Sequence, residues 1–390
     1  MPDIPHMPPT RLLTAVPICD GHDSAVNTVN LEFIRHGFEV VYLGYHRPAR
    51  DIVRAALQED VRAVGISSYN GGHVEFFTEV LRLLAEAGAP VRLFGGGGGT
   101  ITQADAKIME QRGVDRIFFA GTPLREVVAY ARGISEEAFS GPVEMPPSYS
   151  DRALGRALSA LERGLPGASA APTGATRVRP AVKTLRIGVT GPGGAGKTTL
   201  IDELVLRFLH AFDSGSRVAI LSHDPSLPGG GALLGDRATM IYSQHDRVFM
   251  RSSATRGQAG GVNATTECAS DYLVRTGFFE AVLIETVGTG QEAIPFGAKP
   301  GYVDRMILVL PPDYGSRLQL QKIAMLDVAD CVVVNKADRR GAKTAVSELE
   351  ARLRDREDGV SLFLTQANRH RDAGVDRLFE SLFRRCVKGA

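Results

Sequence analysis

The first third of the chain alternates between two hydrophobic patterns. Short, nearly continuous apolar runs predict buried strands, and between them apolar residues recur three or four positions apart, which predicts amphipathic helices. The predicted strands are Arg11 to Ile18, Phe38 to Leu43, Val61 to Ile66, Val91 to Phe94 and Arg116 to Phe119. The helices that follow them include Pro48 to Gln58, His73 to Ala87, Ala104 to Gln111 and Leu124 to Tyr130. This alternation predicts a doubly wound, mainly parallel α/β sheet of five strands over residues 1–132.

The same alternation returns in residues 184–390 and predicts a second α/β domain. Its strands are expected near Leu185, Val218, Val248, Ala281, Arg305, Cys331 and Ser361 to Leu364. Between the two domains, residues 133–183 combine a proline-rich stretch, a short amphipathic helix at Ala153 to Arg163, and a run of small residues from Gly164 to Ala181. This composition predicts a flexible linker with one helix. A tether that lets the first domain swing and a plain spacer remain equal alternatives.

Composition narrows the class of protein. The 390 residues are 44% hydrophobic and carry a formal net charge of +1, so they hold enough apolar material for two cores but no basic field for nucleic acid or lipid. No apolar stretch approaches the roughly 20 residues that span a bilayer. Cys19, Cys268, Cys331 and Cys386 fit neither a zinc spacing nor a disulfide framework. We therefore expect a cytoplasmic protein with no nucleic-acid or membrane partner.

A phosphate-binding loop follows the predicted strand at Leu185. Gly191 to Thr198 reads Gly-Pro-Gly-Gly-Ala-Gly-Lys-Thr, in which glycines let backbone N–H groups point at a polyphosphate, Lys197 reaches the terminal phosphates, and the Thr198 hydroxyl can ligate magnesium. A bare glycine-rich turn is the alternative, and the flanking strand and helix disfavour it. The predicted nucleotide-binding residues here are Gly191, Gly193, Gly194, Ala195, Gly196, Lys197, Thr198 and Thr199.

A second motif names the base. Asn335-Lys336-Ala337-Asp338 follows the buried run at Cys331, so its polar residues are expected at the carboxyl end of a parallel strand, where ligands bind in such sheets. The Asp338 carboxylate can accept hydrogen bonds from guanine's ring N–H and from its exocyclic amine. Adenine has neither donor at these positions and would leave the carboxylate unpaired. Alone the tetrapeptide is weak, but together with the phosphate loop it predicts GTP and GDP as ligands.

Three carboxylates are candidates for a magnesium site. Asp224, Asp236 and Glu285 each follow or lie near a predicted strand end, and a hard cation prefers oxygen ligands. For Asp236 a helix cap or a solvated turn remains a serious alternative. Lys197 and Glu285 are the residues predicted to act in catalysis, and no residue is identified as the hydrolytic base.

Polar and glycine residues also gather at the predicted strand ends of the first domain. Asp20, His22, Ser67, Tyr69 and the run Gly95 to Gly99 all fall there, which predicts a ligand site at one edge of the flavodoxin-like sheet. Taken alone, a single histidine on a loop such as His22 is more often a surface or capping residue than a metal ligand.

Residues 183 to 387 resemble the MeaB-type G proteins, chaperones of adenosylcobalamin-dependent acyl-CoA mutases. The resemblance rests on Asp224-Pro225-Ser226, on Gly231 to Arg237, on Glu285 to Gln291 and on the motif at Asn335. It implies magnesium near Asp224, Asp236 and Glu285, and a homodimer through the G domain. Leu227 stands where the family usually has a second serine. The segment Arg251 to Gly261 resembles a switch of these proteins, and an arginine-rich exposed loop is an equal alternative. The predicted guanine-binding residues are Asn335, Lys336, Asp338, Gln366 and Ala367.

The first domain resembles the cobalamin-binding domains of these mutases. Asp20-Gly21-His22 matches the start of the signature Asp-x-His-x-x-Gly, with Ala25 in place of the glycine, and Tyr69 replaces the leucine of the later Ser-x-Leu element. The resemblance implies that His22 ligates cobalt in place of the cofactor's own base, whose tail passes Ser67 and the glycines. The implied cofactor-binding residues are Asp20, His22, Ala25, Ser67, Tyr69, Gly98, Gly99, Gly121 and Thr122.

The order of the two domains resembles the N-terminal part of the fused isobutyryl-CoA mutases. In that family a large acyl-CoA-binding barrel follows, and the sequence here contains none. The resemblance implies adenosylcobalamin and Mg²⁺ as cofactors, a separate mutase large subunit as partner, and adenosyltransferase as a further partner. A natural small subunit and a truncated form of the long fusion both remain open. The rival functions are a cobalamin-responsive regulatory GTPase and a nickel or cobalt insertion GTPase, the latter needing a Cys/His-rich patch that is lacking.

Overall fold

A computed structural model describes residues 9–22, 24–138, 150–165, 183–288, 302–315, 324–354 and 359–387. The chain divides into two compact units. The first comprises residues 1–170 together with two later segments, 225–239 and 250–256, and the second comprises residues 171–224, 240–249 and 257–390. The predicted boundaries at residues 132 and 183 stay predictions.

The first unit is built on a six-stranded parallel sheet with the order β5-β4-β3-β1-β2-β8. Its strands are β1 (Arg11–Ala15), β2 (Glu39–Tyr42), β3 (Ala63–Ser67), β4 (Arg92–Gly96), β5 (Arg116–Phe118) and β8 (Ala232–Leu234). Its helices are α1 (Ser24–Arg35), α2 (Ala49–Glu59), α3 (His73–Glu86), α4 (Gln103–Gln111), α5 (Leu124–Ala138), α6 (Asp151–Glu162) and α8 (Asp236–Thr239). The predicted doubly wound α/β fold is confirmed.

The sixth strand, β8, corrects the prediction of five. It lies some 190 residues beyond its neighbour β2 in sequence and pairs with it in parallel, from Glu39 opposite Ala232 to Val41 opposite Leu234. Ala232 and Leu234 are completely buried or nearly so and join the apolar core between the sheet and α2 and α3. The sequence motif at Gly231 to Arg237 is therefore part of the first unit's sheet.

Helix α6 is also part of this unit rather than an isolated turn of the linker. Its buried face, which includes Leu154, Ala157 and Leu158, packs against α2. Gly155 permits the close approach, because a Cβ there would lie 2.5 Å from the backbone oxygen of Leu57. The remaining linker residues, 139–149 and 166–182, lie outside the described residues.

The second unit contains a seven-stranded sheet with the order β13-β12-β11-β6-β10-β7-β9. Its strands are β6 (Leu185–Thr190), β7 (Val218–Asp224), β9 (Val248–Ala254), β10 (Ala281–Glu285), β11 (Arg305–Leu310), β12 (Cys331–Val334) and β13 (Ser361–Leu364). The edge strand β9 begins in this unit, and its residues from Met250 onward are grouped with the first unit. Its helices are α7 (Lys197–Ala211), α9 (Thr266–Thr276), α10 (Ala342–Leu353) and α11 (Ala373–Val387), with 3₁₀ turns at Tyr242–Gln244, Pro312–Gly315 and Ala324–Asp327. All seven predicted strands are present. Within the described ranges, none of the helices has the length and apolar character needed to cross a membrane.

Candidate functional site

The loop after β1 presents His22 in a defined tautomer. Nδ1 of His22 lies 2.8 Å from Oδ1 of Asp20, so the imidazole donates to the carboxylate when Nδ1 carries the proton. Nε2 is then the nitrogen with a lone pair for a metal. The His22 side chain is 68% exposed and Asp20 is completely buried, which leaves the ring accessible above a fixed carboxylate.

Asp20 is held in its charged form. Burial alone would raise the pKa of this carboxyl, but hydrogen bonds from the backbone N–H groups of Tyr69 and His22 and from the His22 ring outweigh it and lower the pKa. An anionic Asp20 attracts the proton of Nδ1 and increases the basicity of Nε2. The carboxylate also ties the loop after β1 to the loop after β3, which carries Tyr69.

Beside this loop, at the carboxyl ends of the strands, lies a cavity of about 420 Å³. Its walls come from β3, β4, β5 and the start of α1, and they are mostly apolar. Of the predicted cofactor-binding residues, six line it: Ala25, Ser67, Tyr69, Gly98, Gly121 and Thr122. Gly99 follows the lining residues in the β4 loop, at φ +102°. Sequence reasoning missed other lining residues, among them Thr28, Phe94 and Phe119. They could have been found only from their positions on α1, on β4 and just beyond β5, the elements that end at this edge of the sheet.

The glycines of the β4 loop leave no room for side chains. A Cβ on Gly97 would lie 1.7 Å from the backbone oxygen of Ser68, and one on Gly95 would lie 2.4 Å from that of Ile66. These atoms are backbone and cannot yield, so glycine is required at both positions. Both glycines also line the cavity. This side-chain-free wall is a cradle that fits a bulky nucleotide tail passing between strands, and the exposed imidazole fits a cobalt ligand.

Tyr69, which replaces the expected leucine, shapes the wall nearest His22. Its ring centroid lies 5.7 Å from that of His22, and its ring atoms come within 2.2 Å of the position that a Cβ on Gly98 would take. Tyrosine therefore occupies the space beside Gly98, and its ring faces both the histidine loop and the cavity.

In the second unit the phosphate loop connects β6 to α7. A Cβ on Gly191 would lie 2.0 Å from the backbone oxygen of Val309, so the loop packs against β11. Lys197 is 7% exposed, and its ammonium donates to the carbonyl oxygens of Gly191 and Pro192 at 3.1 and 3.2 Å. The lysine thus lies across its own loop. Ala195 is buried, whereas Gly193, Gly194 and Thr199 are exposed.

Thr198 and Glu285 form the oxygen pair at the start of α7. The Thr198 hydroxyl donates to Oε1 of Glu285 at 2.7 Å, and Glu285 is buried at the end of β10. Both are hard oxygen donors of the kind that Mg²⁺ prefers, so this pair fits that ion. Three residues after Glu285, Gly288 lies against Gly193, since a Cβ on Gly288 would be 2.4 Å from Cα of Gly193.

The other two acids belong to different units of the chain. Asp224 ends β7 in the second unit and is half-buried, and Asp236 begins α8 in the first unit. Among the residues that the structure describes, no group of three or more His, Cys, Asp or Glu side chains is gathered closely enough to hold a metal. Magnesium ligation by Asp224 and Asp236 stays a prediction.

A second cavity of the second unit, about 130 Å³, adjoins the phosphate loop. It is lined by Gly196, Thr199, Asn335, Lys336, Asp338, Arg339, Ala367 and Asn368, so the structure brings the base motif, the phosphate loop and the predicted loop after β13 together. Gln366 precedes Ala367 in that loop and is half-buried.

Asn335 connects the three loops around this cavity. Its Nδ2 donates to the carbonyl oxygen of Ala195 at 2.9 Å, and its Oδ1 accepts from the Thr365 hydroxyl and the Ala367 backbone N–H at 3.1 and 3.0 Å. Lys336, at φ +60°, donates to the Gly194 carbonyl oxygen. Asn335 therefore has a positioning role that sequence reasoning did not specify.

One buried histidine beside this site was also missed. His223 precedes Asp224 and is 4% exposed. Its Nδ1 lies 2.7 Å from the backbone oxygen of Glu285, and its Nε2 lies 2.8 Å from the Thr266 hydroxyl. It thereby joins the ends of β7 and β10 to the start of α9. The only feature of the sequence that pointed to His223 is its position next to Asp224 at the end of β7.

The fold and the sites define a P-loop G protein joined to a flavodoxin-like cofactor-binding unit. The family model described as methylmalonyl Co-A mutase-associated GTPase MeaB matches residues 154–386, and the B12 binding domain model matches residues 10–129. The chain therefore belongs to the MeaB family and joins its GTPase to a B12-binding domain. The expected family resemblance is confirmed.

Relatives with both parts are named fused isobutyryl-CoA mutase. The protein from Cupriavidus metallidurans is 37% identical over 95% of this chain and 35% of its own length, and that from Nocardia farcinica is 37% identical over 97% and 36%. A putative GTPase from Pyrococcus horikoshii is 41% identical over 42% of this chain and 50% of its own. The chain thus spans about a third of the length of the fused relatives it matches.

Proposed function

We propose that this chain carries adenosylcobalamin as the small subunit of an acyl-CoA mutase of the isobutyryl-CoA type. Its G-protein part hydrolyses GTP with Mg²⁺ to gate the loading and protection of that cofactor, and a separate large subunit supplies the substrate-binding barrel. The observation that carries the proposal is the exposed His22 imidazole, backed by buried Asp20 and adjoining a glycine-walled cavity of about 420 Å³.

The residues of the first unit have separable tasks in this proposal. His22 presents Nε2 to cobalt, Asp20 holds the proton on Nδ1, and the cradle of Gly95 and Gly97 accepts the nucleotide tail. Adenosylcobalamin held by these residues would supply radical chemistry for a carbon-skeleton rearrangement in the partner's barrel. The apolar cavity wall excludes water from the tail and favours the histidine-ligated form.

In the second unit, Lys197 and the loop N–H groups bind the phosphates, Asp338 reads guanine, and Thr198 with Glu285 holds magnesium. Gating requires that GTP and GDP bind with different affinity to the cofactor-loading and cofactor-protecting states, because a nucleotide that is indifferent to both shifts nothing. Delivery by an adenosyltransferase and a homodimer through the G domain are further proposals, supported by the resemblance to MeaB-type proteins.

Absorbance titration with adenosylcobalamin tests the first unit. We expect wild type to show the spectrum of a histidine-ligated corrin, and His22→Ala to lose it while GTP hydrolysis stays at the wild-type rate. His36→Ala, at the partly exposed histidine that follows α1, is the matched control and keeps the spectrum. A His22→Ala spectrum identical to that of wild type contradicts the assignment.

Lys197→Ala tests the second unit in the opposite direction. It removes the only charged side chain of the phosphate loop, so the rate of GTP hydrolysis should fall by about 100-fold or more, as it does when other groups that stabilise transition-state charge are lost. The cobalamin spectrum should be retained.

Purification with and without an acyl-CoA mutase large subunit separates the proposal from a regulatory GTPase. Absence of any complex with the large subunit favours the regulatory function.

A further inference from the structure

The loop after β13 forms one wall of the pocket assigned to guanine, and little packing holds it. Its residues Ala367 and Asn368 line that pocket of about 130 Å³. Ala367 is buried, but the four residues that follow it, 368–371, are exposed. Loops with few buried apolar contacts open at a low cost in free energy. The conformation of this wall therefore depends on hydrogen bonds to neighbouring elements of the second unit.

The two ends of the loop are fixed to the sheet. On the β13 side, the Ala367 N–H donates to Oδ1 of Asn335 at 3.0 Å. On the α11 side, Oδ1 of Asp372 accepts a backbone N–H from the first turn of the helix at 2.9 Å and so caps it. A Cβ on Gly374 would lie 1.9 Å from the carbonyl oxygen of Leu364, so the start of α11 packs against the end of β13. These contacts leave the middle of the loop to be positioned separately.

His370 connects the middle of the loop to α7. Its Nδ1 lies 2.6 Å from Oε1 of Glu203 and donates to that carboxylate when it carries the proton. Glu203 is buried on α7, the helix that begins at Lys197 of the phosphate loop. The helix is anchored by an apolar face that includes the buried Leu200 and Leu204. Glu203 is therefore the fixed partner, and the exposed loop is the part that the contact positions.

The two oxygens of Glu203 have different partners. Nη1 of Arg207, one turn further along α7, donates to Oε2, and Nε of Arg207 donates to Oδ1 of Asp376 on α11 at 3.0 Å. A buried carboxylate is stable only when its charge and its remaining lone pairs are both satisfied. Arg207 balances the charge of Glu203. The remaining hydrogen bond comes from His370, a residue of the loop that forms the pocket wall.

We propose that Glu203 and His370 are positioning residues for guanine recognition. Glu203 holds His370, and His370 holds the loop that carries Ala367 and Asn368 along the pocket. Neither Glu203 nor His370 lines the pocket itself, so both act on the base through the loop. The inference rests on the proposed function, in which this pocket binds guanine, and it adds two residues that lie outside the phosphate loop and the base motif.

Variants of His370 in the full chain separate its hydrogen bond from its bulk. His370→Phe keeps a ring and removes the donor, and because the side chain is 62% exposed the core is left untouched. His370→Asn is the rescue variant, since its amide carries an N–H donor at the same distance along the side chain as Nδ1. His210→Phe, at an exposed histidine in the last turn of α7, is the matched control.

The measurements are Kd for GDP, KM and kcat for GTP, and the inhibition constant of inorganic tripolyphosphate, which competes for the phosphate loop and has no base. We expect His370→Phe to raise Kd and KM about fivefold, the upper end for an ion pair with one exposed member, because the base must then order a loop that is no longer held. The inhibition constant of tripolyphosphate should not change, and kcat should not fall. His370→Asn should recover most of the loss, and His210→Phe should match wild type.

A double-variant cycle tests whether the two residues act through one contact. Glu203→Gln removes the charge that His370 faces and should raise Kd for GDP by a similar factor. The variant with both changes should lose no more than the weaker-binding single variant, because both changes break the same contact. Additive losses contradict the inference. Glu203→Gln also weakens the pair with Arg207, so if it does not fold, the His370 variants decide alone.

Wild-type Kd and KM in His370→Phe overturn the inference. So does equal weakening of GDP and tripolyphosphate, because that indicates damage to the phosphate loop. A loss in His370→Phe that His370→Asn does not recover overturns it as well, since the hydrogen bond is then not the cause. Wild type that binds GDP no better than ADP sinks the proposed function itself, and this outcome is visible before any variant is made.

Discussion

Asp338 is an exposed carboxylate on the wall of the pocket of about 130 Å³ beside the phosphate loop. A carboxylate there accepts two N–H groups, a pattern that guanine offers and xanthine, with a carbonyl in place of the amine, does not. Asp338→Asn replaces one acceptor by a donor. We expect GTP to bind about 100-fold more weakly, or worse, and XTP to gain affinity, since unpaired polar groups at such sites are heavily penalised.

Competition of each nucleotide against a fluorescent guanine nucleotide measures this change, with ATP as the reference that neither form should bind. Asp338→Asn must keep the cobalamin spectrum of wild type, which controls for the fold of the first unit. Equal loss of GTP and XTP affinity contradicts a base-reading role and indicates damage to the loop.

The sequence predicts the candidate site residues where a motif fixes their spacing. It does not predict which distant residues they contact in the fold. The loop ending in Lys197-Thr198 and the motif at Asn335 were located by spacing alone. The hydrogen bond from Asn335 to the Ala195 carbonyl oxygen joins residues 140 positions apart, and no local pattern encodes such a pairing. Likewise, His22 was selected because Asp20-Gly21-His22 resembles the start of the cobalamin-binding signature, but the cavity wall formed by Phe94 depends on how β4 packs.

At the scale of elements, Glu162 shows how a single helix is held to the sheet. Burial alone would raise its pKa, but Arg251, Arg11 and Arg256 together bring the pKa far below the ordinary value. A depressed carboxylate pKa contributes stability above the ordinary value, about 4.3, and that contribution is lost as the pH falls through the folded-state pKa. α6 should therefore be docked most firmly above about pH 5.

We expect Glu162→Gln to destabilise the first unit by about 3 to 5 kcal/mol at pH 7, because three arginines then lose a buried partner. The difference in the free energy of unfolding between variant and wild type should narrow as the pH is lowered below about 4.3, because wild-type Glu162 then becomes protonated in the unfolded chain. Urea unfolding between pH 7 and 3 measures it, and the exposed Glu110→Gln should show no gap at any pH. A gap that widens on acidification contradicts the ion-pair account.

Most elements followed from periodicity, and β8 did not. Continuous apolar runs bounded by polar residues, such as Cys331 to Val334, predict strands that are buried on both faces, and this one is buried throughout. By contrast, Ala232-Leu233-Leu234 is three residues long, lies among glycines, and becomes a strand only because β2 offers an edge. Its exposed middle residue and two buried neighbours read as a strand only once its partner is known. Pairing across so many residues is set by tertiary packing, which propensity does not record.

At the scale of the whole chain, the first unit is not a contiguous piece of sequence. A fragment of residues 1–165 lacks β8, Arg237 and the segment at Arg251, although it contains the entire match to a B12-binding domain. Without them the edge of β2 is open and the Leu234 site of the core is empty. We expect the fragment to be less stable than the same unit in the full chain by about 2 kcal/mol or more, and to self-associate through the open edge.

Urea unfolding followed at the first unit, together with light scattering at several protein concentrations, measures both effects. Appending residues 225–239 to the fragment through a flexible glycine–serine linker restores β8 and Arg237, and should recover stability and suppress association. The same extension with Gly231→Ala is the matched control and should recover little, because the added methyl group meets the Ile34 carbonyl oxygen. A fragment that is monomeric and as stable as the full chain contradicts the view that the GTPase sequence completes the cobalamin sheet. If both extensions restore stability equally, the added length of chain is responsible and not the pairing of β8 with β2.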